Sequence, residues 1–205
     1  PLSLRQVEDI LYERGIDVCH ETIRYWWNNF GTVFSKEMKK KSNTSHSNWR
    51  WHIDEVFVKI NGEIHYLWRA IDHEGTVLDC VVTKRRDKKA AKKVLKKLLK
   101  SYGKPKEIVT DKLKSYRAAL KELGLHHLQN TGQYKNNQVE NSHLHFRRRE
   151  KMWNNFRSMR SLQKFISIHS SFLNLFNHQR HLENRQTFKK LRQNSLDISI
   201  KKSEN

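Results

Sequence analysis

The 205-residue chain carries 41 Lys and Arg against 21 Asp and Glu, a formal net charge of +20 at pH 7. Positive charge at that density points to a polyanionic partner, either nucleic acid or an anionic membrane surface. No apolar run approaches a membrane span and no N-terminal stretch resembles a signal peptide. Two distant cysteines, Cys19 and Cys80, exclude a zinc finger and a disulfide scaffold and suit a reducing cytosol. Six Trp and few Gly or Pro argue for a folded chain rather than a disordered basic tail.

The first elements read as two helices. Ser3 and Gln6 have capping-box spacing, and Leu4, Val7, Ile10 and Leu11 make an apolar stripe. Gly15 is a helix stop, and a second helix is expected from about His20 to Asn29 with Ile23, Trp26, Trp27 and Phe30 as its apolar, mostly core face. Helix, short turn, helix over residues 1–34 has the pattern of a helix-turn-helix, with Arg24, Tyr25 and Asn28 among the outward residues able to reach bases and phosphates. A plain helical hairpin gives the same pattern. A three-helix module would need another helix before Leu4, so the segment is expected to be incomplete, and Pro1 in place of Met points to a fragment or a processed chain. Residues 35–48, rich in Lys, Ser and Asn, read as a linker.

From Trp49 the texture changes. Trp51 to Ile60 reads as a strand, Asn61-Gly62 as a hairpin turn, Glu63 to Ile71 as the return strand, and Val77 to Thr83 as a third. A helix from about Asp87 to Tyr102 buries Ala91, Val94, Leu95 and Leu98 and covers the rest with seven lysines. Lys106 to Thr110 reads as a buried parallel strand, Leu113 to Leu123 as a helix, and His126 to Thr131 as a fifth strand. Asn137 to Met152 and Met159 to Phe176 are expected helices, and residues 181–205 a basic C-terminal tail. Three antiparallel strands followed by alternating helices and strands describe an α/β mixed sheet flanked by helices, in ribonuclease-H-like order.

Three carboxylates stand out. Asp54 sits mid-strand on a face shared with His52, Val56 and Val58, where an unpartnered charge is costly. Glu55, by strand alternation, is expected on the opposite face and outside that site. Asp111 ends a strand just before a helix, where it is either a site residue or an ordinary helix cap. Glu140 lies on a helix with Asn137, His143 and Leu144 on its side and Arg147 two turns on. In this sheet order the three converge. Two Asp and one Glu are the hard-oxygen set that suits Mg²⁺ in phosphodiester chemistry, and the positive surface would track DNA phosphates.

The run WHIDEVFVKINGEIHYLWRAIDHEG resembles the first catalytic segment of bacterial insertion-sequence transposases of the DDE class, specifically the IS Six family. IVTDKLKSYRAAL resembles the family's second-Asp segment, and YKNNQVENSHLHFRRREKM its Glu helix with a basic residue seven positions on. SMRSLQKFISIHSSFLNLFNHQR is similar to the helix that follows. The resemblance implies a catalytic domain over residues 49–180 with Asp54, Asp111 and Glu140 as a triad binding Mg²⁺, for which Mn²⁺ substitutes. It implies cleavage of element ends and joining of the 3′ hydroxyl to target DNA. It further implies terminal inverted repeats and target DNA as partners, a homodimer or larger synaptic complex, no membrane, and a cytoplasmic, nucleoid-associated location. Arg147 matches the family's basic position near the cut. Arg148, Lys112, Lys84, Arg85 and Arg86 are further candidates for phosphate contact. The 29 positions from Asp111 to Glu140 are several fewer than is usual in the family. Two other readings remain: an inactive DNA-binding relic or regulator that occupies element ends, and a nuclease that cuts without joining.

Overall fold

In the computed structural model, residues 2–42, 49–132, 137–152, 156–176 and 184–200 are described. Helix α1 spans Leu4–Tyr12, and its first turn is closed by the expected capping box: Gln6 N–H donates to Ser3 Oγ, and Ser3 N–H to Gln6 Oε1. Gly15, at φ +76°, takes the left-handed conformation that turns the chain toward α2.

Helix α2 runs His20–Ser42, thirteen residues beyond the expected end at Asn29. The segment read as a linker from Ser35 is therefore helical to Ser42, while residues 43–48 lie outside the described residues. Contact with a later helix, α6 (Met159–Phe176), holds the extension in place. Ser35 is buried there, its Oγ donating to the Ser167 carbonyl at 3.0 Å and lying 2.8 Å from Ser171 Oγ. A Cβ built on Gly31 would lie 2.8 Å from Ile168 Cδ1, so this glycine permits the close approach of the two helices. The aromatic face of α2 also departs from expectation. Trp26 and Phe30 are 42% and 58% exposed and are not core, whereas Tyr25, 61% exposed, faces outward as expected. Ile23 and Trp27 instead line an apolar cavity of about 810 Å³ with α1 and α6.

The sheet contains β1 (Arg50–Ile60), β2 (Glu63–Asp72), β3 (Val77–Thr83), β4 (Glu107–Thr110) and β5 (Gln129–Asn130) in the order β3-β2-β1-β4-β5. Strands β1 to β3 are antiparallel neighbours; β4 is parallel to β1, and β5 to β4. Asn61 and Gly62, at φ +49° and +86°, make the tight β1–β2 turn and set its register. The fifth strand is shorter than the sequence suggests, because His126–Leu128 form a single 3₁₀ turn before it. The mixed sheet with helices on both faces is the ribonuclease-H-like arrangement.

Alternation along β1 divides the core. Trp51 and Ile53 join Trp68, Leu95, Leu98, Tyr116 and Leu120 under α3 (Lys88–Tyr102) and α4 (Lys114–Glu122). Val56, Val58 and Ile60 join Phe146, Phe156, Leu162 and Ile166 under α5 (Asn137–Met152) and α6. Asp87 caps α3, its side chain accepting from Ala90 N–H at 2.8 Å. The expected tail is helical in part: α7 spans Arg185–Ile200, with Asn184 Oδ1 accepting from Thr187 N–H at its start. Among the described residues, no helix is long and apolar enough to cross a membrane.

Candidate active site

Strand β4 pairs with β1 only as far as Thr110 opposite Ile53. Asp54 and Glu55 are the next residues of β1, so they lie where the neighbouring strand has just stopped. Asp111 follows Thr110 at the same place. One carboxylate oxygen from each of Asp54, Glu55 and Asp111 lies within 4.8 Å of the others. The expected exclusion of Glu55 from the Asp54 site is therefore corrected. Alternation sends the two side chains to opposite faces, but beyond the end of β4 no backbone separates those faces at the strand edge.

Asp111 is not the side-chain cap of α4. That helix begins after Leu113, which makes no side-chain cap bond. Asp111 Oδ1 instead accepts from Leu113 N–H at 3.0 Å, a local turn that leaves Oδ2 toward Arg86, 3.5 Å away. Burial pushes the Asp111 carboxyl above its ordinary value. The Leu113 hydrogen bond opposes this, the charge of Asp54 adds to it, and Arg86 opposes it.

Glu55 is the most enclosed member. Its Oε2 accepts from the Tyr116 hydroxyl at 2.9 Å, and its Oε1 is ion-paired with Arg86. Burial raises its pKa, against the Tyr116 hydrogen bond. Tyr116 is itself held well above the usual phenol value, first by burial and then by the adjacent Glu55 charge. Arg86 also lies over the Phe57 ring, 5.4 Å from its centroid.

Helix α5 closes the other side of Asp54. His143 Nε2 donates to Asp54 Oδ2 at 3.1 Å, and the ring is buried. The preceding residue, Ser142, accepts from Arg69 Nε at 2.9 Å. Arg69 is fully buried and is the register partner of Asp54 across β1 and β2. Two adjacent residues of α5 thus engage one cross-strand pair. Val139 and Phe146, on the same side of α5, are buried in the core beneath it.

The site residues expected from sequence are not all brought together. Asp54 and Asp111 are. Glu140 is exposed on α5, one turn before His143, and lies outside the carboxylate group. Arg147 pairs with Glu150 at 2.6 Å, while Arg148 is exposed on the same helix. Lys84, Arg85 and Lys112 are exposed near the strand ends, whereas Arg86 turns inward to Glu55 and Asp111. On α2, Tyr25 is exposed, Arg24 pairs with Glu21 at 2.5 Å, and Asn28 accepts from Lys164 Nζ at 2.8 and 2.9 Å. Sequence reading missed the roles of Glu55, Arg69, Arg86 and Tyr116. The Asp54-Glu55 doublet was the one local signal, since the others depend on strand register and on where β4 ends.

A DDE-domain family model matches residues 48–179. The transposase of insertion sequence-like element IS431mec from Staphylococcus aureus (strain Mu50) is 34% identical over 170 residues, covering 80% of this chain and 75% of that protein. The chain belongs to the DDE-domain transposases of the IS Six family. The transposase for IS257 in transposon Tn4003 of Staphylococcus aureus matches with the same identity and coverage. Among solved structures, the HTLV-2 integrase catalytic core domain in complex with magnesium (trimeric form) is 15% identical, with a TM-score of 0.45. That match covers 69% of this chain and 93% of the other.

Proposed function

We propose that the chain carries out divalent-metal-dependent phosphodiester transfer on DNA, cleaving element ends and joining the freed 3′ hydroxyl to target DNA. The observation that carries this reading is the convergence of Asp54 and Asp111 beyond the end of β4. Carboxylate oxygens are the hard donors that Mg²⁺ and Mn²⁺ accept, and the side chains of Asp54 and Asp111 are only partly buried. Asp54 and Asp111 therefore fit such an ion and would hold it, while Glu140, outside the carboxylate group, would have to come in from α5 to complete the set. An ion held by Asp54 and Asp111 would supply charge stabilisation to the attacking and leaving oxygens of a phosphodiester.

The remaining work falls to the chain itself. His143 orients Asp54 and fixes α5 over β1. Arg148, Lys84, Arg85 and Lys112 offer exposed positive charge to DNA phosphates, and Arg147 serves once released from Glu150. Helices α1 and α2, with Arg24, Tyr25 and Asn28, form a second DNA-binding surface. A homodimer or larger complex would hold two element ends together.

The test is a strand-transfer assay with end-bearing DNA and Mg²⁺. Asp54→Asn, Asp111→Asn and Glu140→Gln each abolish joining, as does a chelator. An Asp54→Asn protein that joins strands as well as wild type overturns the reading. The exposed position of Glu140 outside the carboxylate group favours a second reading, a DNA-binding protein that does not cleave. That reading predicts salt-sensitive end binding, indifferent to chelator, with no strand transfer.

A further inference from the structure

The carboxylate group contains three acids, but Glu55 is built differently from the other two. Both its oxygens are already engaged, Oε2 by the buried Tyr116 hydroxyl and Oε1 by Arg86, and its side chain is almost fully enclosed. A group so satisfied has little left to offer an entering ion. Arg86, by contrast, reaches two acids at once. It is locked on Glu55 and on the Phe57 ring, and its Nη2 lies 3.5 Å from Asp111 Oδ2. That oxygen is the one Asp111 does not spend on Leu113 N–H.

The geometry points to Arg86 as a tethered cation of the carboxylate site, with Glu55 as its counter-ion and not as a metal ligand. Without a divalent ion, the Arg86 guanidinium partly neutralises Asp111. When an ion takes Asp111 Oδ2, Arg86 gives up that contact and keeps Glu55, so the charge it brought stays paired. Arg86 is thus a positioning residue that competes with the metal for one oxygen and keeps acids packed at the end of β4 compatible until loading. This rests on the metal-binding reading above, but its metal-free half does not need it. It also reassigns Arg86, a candidate for phosphate contact by sequence, to the interior of the site.

The test uses the whole chain, by Mn²⁺ titration with electron spin resonance and by thermal unfolding in EDTA. Wild type, Arg86→Gln, Glu55→Gln/Arg86→Gln, Asp111→Asn and Arg86→Gln/Asp111→Asn are compared, each checked by circular dichroism for the native fold. Removing Arg86 is expected to tighten Mn²⁺ binding by about threefold to tenfold, the scale of losing one nearby positive charge in a partly solvated site. The Glu55→Gln/Arg86→Gln pair leaves the charge balance unchanged and removes the competitor, so its affinity is expected to equal or exceed that of wild type. A fall of about tenfold or more in that pair would make Glu55 a ligand and overturn the inference. In EDTA, Asp111→Asn is expected to raise the melting temperature more in the Arg86→Gln background than in wild type. Equal gains in the two backgrounds overturn the metal-free contact. If wild type binds no Mn²⁺, the metal-dependent function falls, and the EDTA comparison alone decides the role of Arg86.

Discussion

His143 on α5 places its Nε2 3.1 Å from Oδ2 of Asp54 on β1, joining residues 89 positions apart in the chain. With the Arg69–Ser142 bond and the buried Val139 and Phe146, the contact fixes α5 on the sheet, and with it the place of Glu140 one turn earlier. His143→Ala is expected to cost about 1.5–3 kcal/mol of stability, the scale of a buried hydrogen bond to a charged group. Strand transfer should fall further than the stability loss explains, because Asp54 loses its orientation. Urea unfolding and a strand-transfer assay check the two parts separately.

Arg69 supports the same junction from below. It is fully buried, bonds Ser142 through Nε, and its Nη2 finds no hydrogen-bond partner among the described residues. Arg69→Ala removes both the α5 tether and a large volume from the core, and should cost about 3–5 kcal/mol. Arg69→Met keeps most of the volume and removes the buried charge, so it should cost clearly less. Denaturant midpoints of the two variants measure the difference. Equal losses would mean that the charge, not the volume, matters at this position.

Burial raises the pKa of both Glu55 and Asp111 above the ordinary carboxylate values. An acid with a raised folded pKa costs stability once ionised. That cost is complete above the folded pKa and disappears below the unfolded value. Asp111→Asn removes one such charge while keeping an oxygen for Leu113 N–H. In EDTA the variant should therefore melt above wild type at neutral pH, and the gain should shrink as the pH falls toward about 4. A gain that grows on acidification would contradict the assigned direction.

The exposed aromatics of α2 make an opposite prediction. Phe30→Ser should change stability by less than about 0.5 kcal/mol, whereas Phe165→Ala in the core beneath α6 should cost about 3–5 kcal/mol. Gly31→Leu should be costly in its own way, because the added side chain must displace Ile168 and part α2 from α6. Thermal unfolding of the three variants tests which face of α2 is packed.

Much of the fold was legible because local signals agreed. The Asn61-Gly62 turn set the register of β1 and β2, Asp87 marked the start of α3, and apolar periodicity gave α5 and α6 their observed bounds. What failed were inferences that depend on partners. The Lys- and Ser-rich stretch after Phe34 resembles a linker, yet Gly31 and Ser35 are the small residues that let α2 dock on α6. The candidate site was legible in part, since Glu140, expected with the two Asp, lies outside the carboxylate group. Asp54 and Asp111 could be placed from strand order, but alternation excluded Glu55. The rule assumes a neighbour on each side, and β4 stops one residue short of Asp54.

Mn²⁺ binding to wild type and to Asp54→Asn, followed by electron spin resonance on the full chain, tests whether the carboxylates beyond β4 form a metal site. It requires no knowledge of the DNA ends. The convergence of Asp54 and Asp111 predicts saturable binding in wild type that is lost in the variant. Equal binding by the two proteins would contradict it.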